Sequence, residues 1–229
     1  MGICMKIEVS NLEDQMSKLS LDNVTMVCVN GTDDYLGSVK SMEHCLNLVS
    51  FKEAILFSPA DLNHEHINNR IIKPLSWDTY NGFMIHELPN MIDSDYVLIV
   101  QEDGFIVNPD MWSDEFLDYD YAGALWSWQN VKTSRWLPQH IQQSNKLSIV
   151  GNGGFCLRSR KLLEACADCP HEVDGPEDAY ICNVHRDYFE GCEIKFAPAE
   201  VANRFSFEQW SEYPNENPMN HFGIHGGRL

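Results

Sequence analysis

The chain contains few basic residues and no long apolar segment. Its 229 residues include 16 Lys and Arg against 34 Asp and Glu, which gives a formal net charge of -18. Because this charge repels phosphate backbones, we expect no nucleic-acid partner and no anionic membrane partner. No apolar run reaches the roughly 18 residues of a transmembrane helix, and the N-terminus lacks the apolar core of a signal peptide. The sequence therefore predicts a soluble cytoplasmic protein.

The chain also lacks a linker rich in Pro, Gly or Ser, and it shows no internal repeat. Its length suits one sizeable α/β domain. We therefore expect a single domain over residues 1–229, with residues 1–22 as an N-terminal extension.

Eight cysteines are spread along the sequence, and in a reducing compartment they are expected to be free thiols. Four residues have the spacing of a tetrahedral zinc site: Cys166, Cys169, Cys182 and His185. Alternatively, Cys166 is a small core residue on the apolar face of a predicted helix. The sequence leaves both interpretations open.

Alternating strand and helix patterns predict a mostly parallel sheet. Val24–Val29 and Glu53–Phe57 are apolar strand patterns, and between them apolar residues recur at helical spacing from Tyr35 to Val49. These residues form a predicted β-α-β unit. Ser76 caps a further amphipathic helix that leads to a strand at 96–101.

The second half of the chain is less regular. Its polar stretch 127–146 is a candidate mobile loop, and Asp174 and Glu177 have the spacing of a capping box for a helix that ends near Gly191. Ser159 is expected to cap another helix. The predicted strands here are Tyr121–Leu125, Ser148–Val150, Phe155–Leu157 and Glu193–Ala197.

Polar side chains follow the apolar strand that ends near residue 100. Gln101, Glu102 and Asp103 come directly after Val97–Val100 and precede Gly104. Ligands of parallel sheets gather at the carboxyl ends of strands, so these residues are candidates for a metal or substrate site. The alternative for Asp103 is a turn residue before Gly104.

Three segments in this order resemble the GT-A class of nucleotide-sugar glycosyltransferases, in particular an uncharacterised GT-A-like family of bacteria and large viruses. They are Gln101–Phe105, the glycine-rich Val150–Phe155 and Pro176–Asp178, and the resemblance extends over roughly residues 24–226. It implies a single GT-A-like domain with a Rossmann-like, mostly parallel sheet flanked by helices. It also implies that residues 214–229 form a tail closing over the site.

By this resemblance, Asp103 and His225 hold Mn²⁺ or Mg²⁺ against the diphosphate of the sugar donor. A hard cation prefers oxygen ligands and also accepts a neutral imidazole. His221 competes for the second position, and an ordinary exposed tail histidine is the alternative for His225. The sequence has Gln101 where the class usually has Asp, so we expect Gln101 and Glu102 to act through water or the donor ribose.

The resemblance also assigns catalysis. Asp178 matches the general base that deprotonates the acceptor hydroxyl in inverting enzymes, and Glu177 is the second catalytic candidate. A structural alternative exists for both, because acids are favoured in a first helical turn.

The remaining candidates are binding residues. For the nucleoside they are Asn30, Thr32 and Tyr35, with Gln101 and Glu102 beside them. For the donor sugar and the acceptor they are Gly153, Gly154, Trp126, Trp128 and Arg158. Arg158 suits phosphate as a planar donor, or it pairs with acids, and the tryptophans suit either a sugar face or the core.

The resemblance implies a transferase that moves a sugar from a nucleoside-diphosphate donor to a hydroxyl of a glycan or protein-linked acceptor, with inversion. Two alternatives remain open from the sequence. One is a metal-dependent phosphoester or diphosphate hydrolase, and the other is a non-catalytic nucleotide-sugar-binding module.

Overall fold

The computed structural model describes residues 18–208, 211–213 and 216–229. Residues 1–17 of the predicted extension and residues 214 and 215 of the predicted tail lie outside this range. The strands are β1 (Leu19–Val29), β2 (Val49–Ser58), β3 (Asn68–Ile71), β4 (Tyr96–Val100), β5 (Gly104–Ile106), β6 (Tyr121–Gly123), β7 (Phe155–Ser159), β8 (Ser206–Glu208) and β9 (Gly223–His225). The helices are α1 (Leu36–Leu48), α2 (Trp77–Gly82), α3 (Trp128–Lys132), α4 (Gln139–Gln142), α5 (Arg160–Ala167), α6 (Glu177–Ala179), α7 (Arg186–Gly191) and α8 (Ala199–Phe205). None of the described helices is long and apolar enough to cross a membrane.

The central sheet has six strands in the order β3-β2-β1-β4-β7-β6. The first four are parallel, whereas β7 runs antiparallel to both β4 and β6. In this register Val27 pairs with Ile55 on one side and with Ile99 on the other. The predicted β-α-β unit and the mostly parallel sheet are confirmed.

Apolar side chains cover both faces of this sheet, which is why its strands are continuous apolar runs. Met26 and Leu98 pack with α1 in one core cluster. Their neighbours Val27 and Ile99 point to the opposite face, where they pack with the α2 and α5 side of the domain. This alternation follows from the two-residue period of a strand.

The first strand begins earlier than predicted. β1 starts at Leu19 rather than Val24, so residues 19–22 of the predicted extension belong to the sheet. The pairing with β2 shifts between Leu21 and Thr25, where two polar residues interrupt the apolar pattern. This irregularity explains why the sequence pattern appeared to begin at Val24.

A second, three-stranded sheet has the order β5-β9-β8. β9 is antiparallel to β5 and parallel to β8, so the predicted tail supplies the middle strand. Since β5 begins directly after Asp103, this sheet brings His225 next to the carboxyl end of β4.

Several elements of the second half differ from prediction. Ser148–Val150 and Glu193–Ala197 form only isolated bridges, from Val150 to Leu125 and from Phe196 to Tyr121. The helix predicted to end near Gly191 is divided into α6, a wide helical turn at Tyr180–Val184, and α7. The stretch 127–146 contains the short helices α3 and α4.

The predicted helix caps have mixed outcomes. Ser76 accepts a hydrogen bond from the Thr79 amide, and Ser159 accepts one from the Leu162 amide, so both caps are confirmed. The predicted capping box at Asp174 is wrong. α6 follows Pro176 without a side-chain cap, because the Glu177 carboxylate is directed into the interior instead.

Candidate functional site

Two clefts lie at the carboxyl edge of the parallel strands. The first cleft, of about 490 Å³, is lined by residues after β1 and β4, among them Asn30, Thr32, Asp34, Glu102 and Asp103. The central cleft, of about 460 Å³, is lined among others by Tyr80, Asn152, Gly153, Gly154, Glu177, Asp178, Glu208 and His225. Gln101 lines both, so the predicted acidic segment stands between them.

The turn after β4 directs its polar side chains to this edge. The Gly104 amide donates to the Gln101 carbonyl at 3.1 Å, which closes the turn, and the Gly227 amide donates to the Asp103 carbonyl at 2.9 Å. A Cβ added at Gly104 would lie 2.2 Å from the Gly154 carbonyl oxygen. The close approach of these two backbones therefore requires glycine at position 104.

Asp103 and His225 meet at the boundary between the clefts. Asp103 Oδ1 lies 3.5 Å from His225 Nε2, while His225 Nδ1 lies 2.7 Å from the buried Glu208 carboxylate. A carboxylate only accepts, so Nδ1 carries a proton, and in the neutral ring Nε2 keeps a lone pair towards Asp103. Asn152 also donates to Glu208. Burial lowers the pKa of His225, but the hydrogen bond to Glu208 and the nearby Asp103 outweigh it, so the pKa is raised.

The Asp103 and His225 donors fit a hard divalent cation with an open coordination sphere. Within the described ranges, no three His, Cys, Asp or Glu side chains are grouped so that they could hold a metal. Two protein ligands nevertheless suit Mg²⁺ or Mn²⁺, which commonly take their remaining ligands from water and substrate phosphates. The ring orientation imposed by Glu208 is the outer-shell support that such a ligand needs.

The predicted zinc residues are not grouped around a common point, so that interpretation is wrong for the described chain. Cys166 and Cys182 are buried in the apolar core. Cys169 Sγ lies 2.9 Å from the Tyr180 hydroxyl, and the His185 ring stacks on His171 with 4.3 Å between centroids.

The glycine-rich turn 151–154 packs against the site side chains. Asn152 has a φ of 62°, a left-handed conformation that Asn tolerates better than most residues. A Cβ at Gly153 would lie 2.2 Å from Glu177 Oε1, and one at Gly154 would lie 2.1 Å from His225 Cδ2. These glycines therefore let Glu177 and His225 reach the cleft wall. Contact with a donor sugar stays a prediction.

A buried ion pair lies beside Asp178. Arg158 is fully buried and donates from Nη2 to Glu177 Oε1 at 2.6 Å, while Glu177 Oε2 accepts from the Asp178 amide. The predicted direct contact of Arg158 with phosphate or sugar is therefore wrong. Burial and the adjacent Asp178 raise the pKa of Glu177 to about 7, although Arg158 opposes this rise.

Asp178 is more accessible than Glu177 and lines the central cleft. Its Oδ2 accepts from the Gly153 amide at 2.9 Å and its Oδ1 accepts from the Ala179 amide at 2.7 Å. These two amides fix the carboxylate at the cleft wall. The Glu177 oxygens are engaged by Arg158 and the Asp178 amide, so Glu177 is placed to position Asp178.

The other predicted binding residues are distributed unevenly. Asn30 organises its own turn, accepting from the Thr32 amide at 2.9 Å and donating to Ser38 at 3.1 Å. Tyr35 packs against the core and does not line the first cleft. His221 is buried and bonded to the Asn203 carbonyl, away from the clefts, so it does not compete with His225.

The two predicted tryptophans differ in position. Trp126 lines the central cleft and packs against Gly151. Trp128 is 39% exposed and lines neither the first cleft nor the central cleft, so its predicted contact with sugar is not supported.

Sequence reasoning missed several residues of the central cleft: Trp77, Tyr80, Asn81, Asn152 and Glu208. Tyr80 accepts from Gln101 Nε2 at 3.0 Å, and Asn81 Oδ1 accepts from the Glu177 amide at 3.0 Å. Asn152 offered a signal, since an Asn between glycines suits a left-handed turn. Glu208 offered none, because its partners are distant in sequence.

Solved structures similar in fold include glycosyltransferases. An active-site mutant of LgtC matches with a TM-score of 0.51 and 16% identity, covering 88% of this chain and 86% of that chain. LgtC, a galactosyltransferase, in complex with donor and acceptor sugar analogs matches with a TM-score of 0.49 and 15% identity over 88% and 86%. A glycosyltransferase involved in glycosylation of the major capsid of PBCV-1 matches with 0.48 and 11% over 88% and 91%.

At these identities the likeness shows the fold alone, and the first match confirms the predicted GT-A-like α/β fold. No curated protein matches the chain. Residues 61–225, well over half of the sequence, match a family described as "Protein of unknown function (DUF5672)". The chain therefore belongs to the DUF5672 family.

Proposed function

We propose that this protein is a glycosyltransferase that moves a sugar from a nucleoside-diphosphate donor to an acceptor hydroxyl. The observation that carries the proposal is the position of Asp103 and His225, 3.5 Å apart where the first cleft meets the central cleft. In a nucleotide-sugar the diphosphate likewise joins the nucleoside to the sugar. Placing the diphosphate at this pair puts the nucleoside in the first cleft and the sugar beside Gly153 and Asp178.

The charge of the clefts supports a metal-assisted reaction. Acidic residues line the two clefts, namely Asp34, Glu102, Asp103, Glu177, Asp178 and Glu208, whereas no described Lys or Arg lines either one. A diphosphate would be repelled by these carboxylates unless a cation lay between them. Bound Mn²⁺ or Mg²⁺ would neutralise the charge that develops on the departing nucleoside diphosphate. Asp103 and His225 would hold it.

Asp178 is proposed as the general base. Its carboxylate is anchored by the amides of Gly153 and Ala179 and faces the central cleft, where it would accept the proton of an acceptor hydroxyl. Attack by that hydroxyl opposite the departing diphosphate would invert the anomeric centre. Glu177 and Arg158 would hold Asp178 from behind without touching substrate.

The hydrolase alternative receives less support. Two-metal phosphoesterases hold two ions about 4 Å apart, which requires a second set of protein ligands. No group of three or more suitable side chains occurs in the described residues.

Donor binding is tested by thermal shift and calorimetry with UDP-, GDP- and dTDP-sugars, each with and without Mn²⁺. A ligand at about 100 times its Kd stabilises the folded state by about 2.7 kcal/mol, which for this chain length corresponds to roughly 5 to 10 °C in Tm. We expect one nucleotide class to give such a shift only with the metal.

The test variant is Asp103→Asn, and the matched control is Asp110→Asn, an exposed acid that lines neither cleft. We expect Asp103→Asn to abolish the metal-dependent shift and Asp110→Asn to keep it. Equal shifts for the two variants, or no shift with any nucleotide-sugar, would refute the proposed donor site. Transfer itself is read from release of the nucleoside diphosphate and from the product anomer by NMR.

A further inference from the structure

A third pocket, of about 230 Å³, adjoins the central cleft. Trp126, Asn130, Pro176 and Asp178 line both, so the two spaces are continuous at the proposed base. The pocket extends from there along residues 130–137. The residues proposed to hold the donor, Asp103, His225 and Gly153, do not line it.

The walls of the pocket are mostly apolar. Val131 and Leu137 pack with Leu147 and Ala179 in a small buried cluster separate from the main core. This cluster fixes α3 and the following turn against α6, which carries Asp178. The pocket is therefore part of the packed structure.

Trp136 forms a fixed aromatic wall of this pocket. Its indole stacks on Trp77 with 4.6 Å between centroids and 26° between planes, and the Arg135 guanidinium lies 4.4 Å from its centroid. Both tryptophans are partly exposed, at 37% for Trp136 and 49% for Trp77. A ring held in this way loses little freedom when a ligand packs against it.

The polar groups of the pocket are uncharged except for Asp178. Asn183 is already paired with Ser148, at 2.8 and 3.2 Å, and Ser134 accepts from the Trp136 amide at 3.3 Å. The Asn130 side chain makes no hydrogen bond within the described part of the chain, so its amide is open to a ligand. No described Lys or Arg lines the pocket.

We infer that this pocket binds the acceptor as a neutral pyranoside, packing the apolar C–H face of the ring against the tryptophan and aliphatic wall and presenting one hydroxyl to Asp178. This inference rests on the proposed function. An aromatic and aliphatic surface with a few amide and hydroxyl groups suits a sugar ring, which has an apolar face and a polar rim. An anionic acceptor would meet the Asp178 carboxylate with no described Lys or Arg among the residues that line the pocket.

The experiment is saturation-transfer difference NMR on the whole chain, with and without UDP and Mg²⁺. The probes are the methyl β-pyranosides of glucose, galactose and mannose, compared with methyl β-glucuronide, which carries a carboxylate on the same ring. The test variant is Trp136→Ala. The matched control is Trp128→Ala, which removes an equally large exposed indole from the same segment, with Lys132 at 5.4 Å from its centroid in place of Arg135.

We expect at least one neutral glycoside to bind, the glucuronide to bind more weakly than the glucoside, and Trp136→Ala to weaken binding about tenfold while Trp128→Ala leaves it unchanged. Unchanged binding in Trp136→Ala, or glucuronide binding as strong as glucoside binding, would overturn the inference. If UDP binds with metal but no neutral glycoside binds, the inference about this pocket is also overturned, whereas the proposed donor site is supported. If a glycoside binds through Trp136 but no nucleotide binds, the sugar pocket is supported and the transferase proposal fails.

Discussion

Replacing Arg158 by Met is expected to destabilise the fold in a way that depends on pH. Arg158 and Glu177 are 0% and 6% exposed at their side chains and 2.6 Å apart, so the variant leaves a carboxylate in the interior without its cation. Breaking one side of such a pair typically costs about 3–5 kcal/mol of unfolding free energy. Arg158 Nη1 is buried and has no hydrogen-bond partner among the residues that the structure describes, so the native pair is imperfect and we place the loss near 3 kcal/mol.

The pH dependence follows from Glu177. Its pKa is raised to about 7 from an ordinary value of 4.5, first by burial and then by Asp178, while Arg158 lowers it. A carboxyl whose folded-state pKa is raised contributes stability that is present below its unfolded pKa and lost as pH rises through the folded value. Without Arg158 the folded pKa rises further. The deficit of the variant is therefore small near pH 5, begins to grow near pH 7, and reaches about 3 kcal/mol only roughly two pH units higher, because one pKa unit corresponds to about 1.4 kcal/mol.

The assay is urea unfolding followed by tryptophan fluorescence at pH 5 and at about pH 9. The matched control is Arg204→Met, because Arg204 and Glu115 are also 2.6 Å apart but are 45% and 41% exposed, and an exposed pair contributes less than about 1 kcal/mol. Adding Glu177→Gln to Arg158→Met removes the unpaired charge and should recover part of the loss at high pH. Equal losses for Arg158→Met and Arg204→Met, or a loss that does not change with pH, would refute the reasoning.

Two further predictions concern the site scaffold. Gly104→Ala places a Cβ 2.2 Å from the Gly154 carbonyl oxygen and should therefore lower the urea midpoint of unfolding. The control Gly82→Ala, at a helical position with no atom within 4 Å of the added Cβ, should raise the free energy of unfolding by about 0.5–1 kcal/mol. An unchanged urea midpoint for Gly104→Ala would contradict the close packing at this position. Glu208→Gln should weaken Mn²⁺ binding by roughly 10- to 100-fold, measured by calorimetry, because His225 loses its orienting carboxylate; unchanged affinity would exclude His225 as a supported ligand.

The central sheet was predictable because its strands are buried on both faces. Apolar residues such as Val27, Ile55 and Ile99 leave a continuous pattern that needs no partner to be recognised. β3 was not predicted, since its residues Asn68–Ile71 are mostly polar at the edge of the sheet. The strands of the small sheet have three residues each, too few for any periodicity to emerge.

Part of the candidate site could be predicted from the sequence, because some of its residues lie next to elements that the sequence pattern reveals. Asp103 follows a strand, so it was expected at the edge that the structure shows. Asp178 was assigned by resemblance, because an acid in a first helical turn equally suits a structural role. For Arg158 the sequence left phosphate binding and pairing with acids open, because the sequence of β7 does not reveal that this arginine is fully buried with Glu177 as its partner. Trp136 lies in a polar stretch whose packing against Trp77 only the three-dimensional structure displays.

The small sheet makes ligand affinity and local order two aspects of one equilibrium. β9 lies between β5 and β8, and its last residue is His225, while Asp103 immediately precedes β5. A ligand that binds both side chains therefore stabilises the docked position of β9 by mass action. It does so by linking two residues that are 122 positions apart in the chain. Conversely, any change that loosens β9, even one remote from both clefts, reduces the fraction of molecules ready to bind, and the apparent affinity falls by the same factor.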